Sequence, residues 1–218
     1  MKIVLKYRLF LILLICSSYN IYADESTLSN SENANFKEID SLVTLRDINR
    51  IASKTINHII NQYSLPLYNS YFDIVSQDVE VYPLHENYRR IFKRLGLLVE
   101  DVRIGYSAYL GNAFNKVAMT DCNTVYFPHP SFVKKLKDGK KITKKQMHLL
   151  LHELGHSLQC RKATKKMYAQ RWFSELSPAT IKALKSGRVE TKNIHDAMPL
   201  EKEADEFSKK MYLEVIKY

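Results

Sequence analysis

The stretch that decides the reading is Thr143 to Arg161, TKKQMHLLLHELGHSLQCR. Thr143 is of the type that accepts a hydrogen bond from the first turn of a helix. Met147, Leu150, Leu151, Leu154 and Leu158 follow at the spacing of a buried helical stripe. The pattern predicts a helix from Lys144 to about Arg161. Residues four apart on such a helix lie on one face, one turn apart, so His152 and His156 present two imidazoles side by side with Glu153 next to them. This is an HExxH arrangement: the two imidazoles can share one zinc ion, and the glutamate can act as general base.

Two histidines do not complete a zinc site, because a catalytic zinc usually takes three protein ligands and keeps one position for water. The search for a third donor leads downstream to Glu201-Lys202-Glu203-Ala204-Asp205. After Pro199 the chain from Leu200 to about Tyr218 reads as a final helix, with Ala204, Phe207, Met211 and Val215 facing inward. Glu201 and Asp205 sit one turn apart on it, so one can bind metal while the other holds the N–H of a ligating histidine. Glu203 competes for the ligand role. A catalytic site of this kind usually adds a second group that holds the developing oxyanion. His195, just ahead of the ligand helix, is the candidate, with Tyr126 and Tyr168 as weaker ones. His148, one turn before His152, reads as solvated or as a support for another group. His58, His85 and His129 read as ordinary histidines.

HExxH followed some tens of residues later by an ExxxD helix resembles the gluzincin metallopeptidases. The order of a strand (Val125-Tyr126-Phe127), HELxHxxQ (His152 to Gln159) and E-x-x-A-D (Glu201 to Asp205) is similar to small bacterial gluzincin-like domains. The likeness covers Val102 to Met211, about half the chain. It implies Glu201 as third ligand and Asp205 as the residue orienting His152, with Zn2+ as cofactor. There is no HExxHxxGxxH, so the metzincin pattern is absent. The implied chemistry is zinc-dependent hydrolysis of peptide bonds, with Glu153 taking a proton from zinc-bound water.

Upstream of the motif helix, Lys116 to Thr120 and Thr124 to Phe127 read as a short hairpin around Asp121-Cys122-Asn123. Val102-Arg103-Ile104 and Val79 to Tyr82 read as further short strands. The hairpin is either core sheet or an edge that takes a substrate peptide as an added strand, with Ala118 to Thr120 lining the cleft. Phe36 to Ser64 shows helical spacing that Pro66 should end. Leu84 to Glu100 predicts a second amphipathic helix, weakened at Gly96. Pro178 should open a short helix that Gly187 closes. The fold class expected is α+β: a mostly helical zincin-like domain with a small antiparallel sheet or hairpin beside the HExxH helix. By position, 1–23 reads as a signal peptide, 24–35 as a flexible leader, 36–100 as an N-terminal helical region and 101–218 as the metallopeptidase domain.

The signal reading rests on Lys2, Lys6 and Arg8, the apolar run Leu9 to Ile15 and Ala23 before Asp24. That run is short for a membrane span, which takes roughly 20 residues. Export to the periplasm or medium is therefore expected, with no stable membrane insertion once the signal is cleaved. Cleavage removes Cys16 and leaves Cys122 and Cys160, either as one disulfide or as two buried thiols. The net charge of +10 is concentrated in Lys134 to Lys145 and Arg161 to Lys166. Such runs attract anionic surfaces, but they also occur as plain solvated faces. No aromatic-basic interleaving indicates nucleic-acid binding. The partner expected is a protein or peptide substrate. The competing reading is a catalytically inactive zincin-fold protein acting as a binding or interaction module.

Overall fold

The structure is a computed structural model that describes residues 45–113, 117–185 and 194–217. The expected signal peptide and leader, the onset of the first helix at Phe36 and the closing role of Gly187 lie outside the described residues. The fold is α+β: helices predominate around one mixed four-stranded sheet.

The chain begins with α1 (Leu45–Val75), followed by β1 (Val81–Pro83) and α2 (Glu86–Arg94). Next come β2 (Arg103–Tyr106), α3 (Ala108–Ala113), and the hairpin β3 (Met119–Asp121) and β4 (Thr124–Phe127). Helices α4 (Pro130–Lys137), α5 (Lys144–Lys162), α6 (Lys165–Lys185) and α7 (Pro199–Val215) complete it. The sheet order is β1-β2-β4-β3. β2 runs parallel to β4, and the two outer pairings are antiparallel. The sheet is mixed because β2 reaches β4 by a crossover through α3 and β3, and the antiparallel hairpin expected beside the HExxH helix is its β3–β4 pair. β1 belongs to the N-terminal region yet pairs with β2, and Leu84, Tyr88 and Phe92 share a core with Leu150, Leu151 and Leu154. Residues on both sides of position 100 therefore build one packed body.

The helices expected to stop at Pro66 and to open at Pro178 run through both prolines, and the one expected over Leu84 to Glu100 spans only Glu86–Arg94. Pro66 lies inside α1 and Pro178 inside α6. A proline inside a helix removes one backbone donor. In α1 the residues beyond Pro66 are the ones that bury: Tyr68, Phe72 and Val75 enter an aromatic cluster with Tyr126, Tyr168 and Leu200. Tertiary burial of that turn outweighs one lost hydrogen bond. Gly96 does end the helical run. Its φ of +74° is a left-handed conformation that glycine adopts without a Cβ clash, and it lets the Leu97 N–H return to the Phe92 carbonyl at 2.9 Å.

α5 starts at the expected residue. The Thr143 hydroxyl accepts from the Gln146 N–H and the Gln146 side chain accepts from the Thr143 N–H, a reciprocal capping box. The other end of α5 is tied to the hairpin turn by a Cys122–Cys160 disulfide, with Cα atoms 5.2 Å apart. Cys122 holds the turn's left-handed φ of +47°.

Candidate metal centre

The site forms along the seam between α5 and α7. The two helices come close because the residues facing each other are small. A Cβ added at Gly155 would lie 3.2 Å from the Ala204 Cα and 3.2 Å from Phe207 Cδ1. Gly155 is the second variable residue of the HExxH run and Ala204 lies between Glu201 and Asp205, so the motif residues themselves set the helix spacing. α7 is further aligned by α6. The Glu175 carboxylate accepts the Leu200 N–H at 2.7 Å, placing a negative charge at the N-terminus of α7.

This packing brings His152, His156 and Glu201 together, all buried. The Nε2 atoms of His152 and His156 are 3.1 Å apart, and Glu201 Oε2 lies 3.2 Å from the first and 2.9 Å from the second. A tetrahedral zinc ion with bonds of about 2.0–2.1 Å holds its donors about 3.3 Å apart, so these three edges lie within about 0.4 Å of what the ion needs. His195 adds a third imidazole. Its Nε2 is 2.7 Å from Glu201 Oε2, and its ring stacks on His152 with centroids 5.5 Å apart. His152, His195 and Glu201 thus form a group able to hold a metal ion.

The opposite ring nitrogens fix the tautomers. His152 Nδ1 donates to Asp205 Oδ1 at 2.8 Å. His156 Nδ1 is 2.8 Å from Gln159 Oε1. The Gln159 amide nitrogen faces two acceptors, the Leu200 carbonyl at 2.9 Å and Glu203 Oε2 at 3.1 Å. The amide oxygen must therefore point at His156, which must donate to it. With both Nδ1 atoms protonated, both Nε2 lone pairs aim into the cluster, as metal binding requires.

Electrostatics favour a cation there. Burial raises the Glu201 carboxyl, but hydrogen bonds from His152, His156 and His195 overcome it and hold the group far below the usual carboxylate range. Burial disfavours charge on each of these histidines, yet the Glu201 hydrogen bond and the surrounding carboxylates raise all three above the ordinary imidazole value. A metal ion would replace those protons as the balancing positive charge.

Glu153 is buried beside the cluster, and its Oε2 accepts from the Thr120 hydroxyl at 2.6 Å. Thr120 lies on β3, and its carbonyl accepts from the Tyr68 hydroxyl at 3.1 Å. Glu203, the alternative third donor, pairs with Arg171 at 2.6 Å and with Gln159. Arg171 also binds Glu175, so one guanidinium joins the cap of α7 to the chain of contacts ending on His156. His148 hydrogen-bonds Ser208 and stacks on Tyr212. Tyr168 is buried edge-on to Tyr68, and burial, with the negative charge of Glu201 and Glu153, pushes its phenol well above the ordinary value.

The sequence pattern assigns no role to Gln159, to Thr120 as a Glu153 partner, to Gly155 as a spacer, or to Arg171 with Glu175. The spacing of Gln159, three residues after His156 on one helix, was the only one of these signals available locally. Comparison with protein-family models, with curated proteins and with solved structures found no match.

Proposed function

We propose that this protein is a zinc metallopeptidase of gluzincin type acting on protein or peptide substrates outside the cytoplasm. The observation that carries the reading is the convergence of two imidazole Nε2 atoms and the Glu201 carboxylate, with both Nδ1 protons held by Asp205 and Gln159. His152, His156 and Glu201 would hold the metal. Bound zinc supplies Lewis acidity and a water of near-neutral pKa. Glu153 takes the proton from the attacking water and passes it to the leaving amine. The Thr120 hydroxyl fixes one Glu153 oxygen and so the plane of the carboxylate. His195 is the most exposed of the three rings, at 32% of its side chain against 10% and 7% for the others, which suits a group that meets the substrate carbonyl. β3 stands at the end of the sheet order and carries Thr120, so a peptide added along it would pass Glu153. Export is supported by the signal-like N-terminus and by the disulfide.

Elemental analysis of the purified protein, paired with a labelled-casein assay with and without chelator, tests this reading. About one zinc per chain and chelator-sensitive hydrolysis are expected. Glu153→Gln should keep the metal and lower hydrolysis by about 10²–10⁴-fold. Full activity in that variant would reject Glu153 as base.

One observation favours a second reading. His195 already touches Glu201 and stacks on His152, and four protein donors would close a tetrahedral site as in structural zinc centres. The protein would then be a binding module. His195→Ala separates the two: a catalytic His195 leaves metal affinity intact and lowers kcat, whereas a fourth ligand loses affinity.

A further inference from the structure

At the far end of the same seam, where α5 begins and α7 finishes, lies a groove of about 410 Å³. Its floor is apolar, with Ile91, Ile142, Met147 and Val215 among the lining residues, and Lys140, Lys141 and Lys144 stand around it. All three lysines are exposed. Leu213 on the last turn of α7 and Ile216 just after it are each 59% exposed. The segment 134–145 carries seven lysines against one acid, Asp138, which pairs with Lys140 at 3.5 Å. Glu86 and Glu214, on the flanking helices, pair with Arg90 and Lys217. The positive field of the patch is therefore largely uncompensated.

We propose that this face docks on an anionic phospholipid bilayer, with the lysines among the headgroups and Leu213 and Ile216 entering the interface. The claim does not depend on the metal reading. Lysine is a compact point charge on a flexible stem, whereas fixed recognition of a carboxylate or phosphate favours the planar arginine fork, and 134–145 contains no arginine. Exposed lysines beside an apolar groove, with exposed aliphatic side chains at the end of α7, suit a diffuse, mobile anionic layer, where each charge near the surface adds its own attraction. The metal cluster stands on the same helix, since His152 follows Lys144 by eight residues, or about 12 Å of helix rise. Docking would hold the site close above the membrane surface.

Cosedimentation of the purified protein with vesicles tests this. Vesicles of phosphatidylcholine containing about 30% phosphatidylglycerol should retain the protein in low salt, and pure phosphatidylcholine should not. Lys141→Glu/Lys144→Glu should weaken retention at least tenfold, and the equal-charge control Lys162→Glu/Lys166→Glu less than threefold. Leu213→Ser/Ile216→Ser should also weaken it, by about threefold or more. Circular dichroism unchanged from the parent protein confirms that each variant is folded. No retention on the anionic vesicles, equal losses in the two lysine pairs, or undiminished binding of the serine variant would overturn the proposal. So would equally tight binding to polyglutamate, which would assign the face to an acidic protein.

Discussion

The two ends of the α5–α7 seam treat charge in opposite ways. At the His152–His156 end, ionisable groups are buried and every ring nitrogen of the two motif histidines has a partner. At the Lys144 end, the charges are exposed and the apolar groove is what lies between the helices. A buried polar cluster is expensive to desolvate, and truncating one member leaves the others unpaired. A solvated lysine ring has no such constraint and little effect on stability. Specific chemistry belongs to the end whose desolvation cost is offset only by mutually satisfied geometry.

The largest break in this comparison should come from Glu201→Ala. Loss of the carboxylate shared by three imidazoles should lower zinc affinity about 100-fold or more in a competition titration with a chromophoric chelator, while Glu203→Ala, whose carboxylate faces Arg171, should change it far less. Unchanged affinity in the first variant with loss in the second would reverse the ligand assignment. A smaller loss is expected from Gln159→Leu. Without the acceptor for the His156 Nδ1 proton, zinc affinity should fall about 10–100-fold in the same titration, as for other partners of ligating histidines. The opposite end of the seam should not respond: Lys144→Glu should leave zinc affinity unchanged. The mildest of the site variants is Gly155→Ala. The new methyl must displace Ala204 or Phe207 by a few tenths of an ångström, so thermal unfolding should report about 1–3 kcal/mol of destabilisation. A neutral result would show that the helices are free to separate.

Much of this was legible in the linear order of residues. The motif helix and its Thr143 cap follow from hydrophobic periodicity and one capping residue. The span of β4, Thr124 to Phe127, follows from β-branched and aromatic residues placed just after a turn. The pairing of Glu201 with Asp205 was visible as an ExxxD spacing, and the structure places those side chains on the histidines of α5. The continuation of α1 through Pro66 and of α6 through Pro178 is not legible, because proline locally favours a helix boundary and only burial against distant residues outweighs it. His195 stands just ahead of the helix that carries Glu201, but nothing local indicates that its ring stacks on His152.

Local sequence is enough to put His152, Glu153 and His156 on one turn of α5, since that needs only 3.6 residues per turn and a buried stripe. Which carboxylate meets them, what holds Glu153 and how near the two helices lie depend on long-range packing. Those contacts join residues such as Thr120 and Glu153, or Glu175 and Leu200, that are far apart in the chain, and no local periodicity encodes which distant side chain fills a given space.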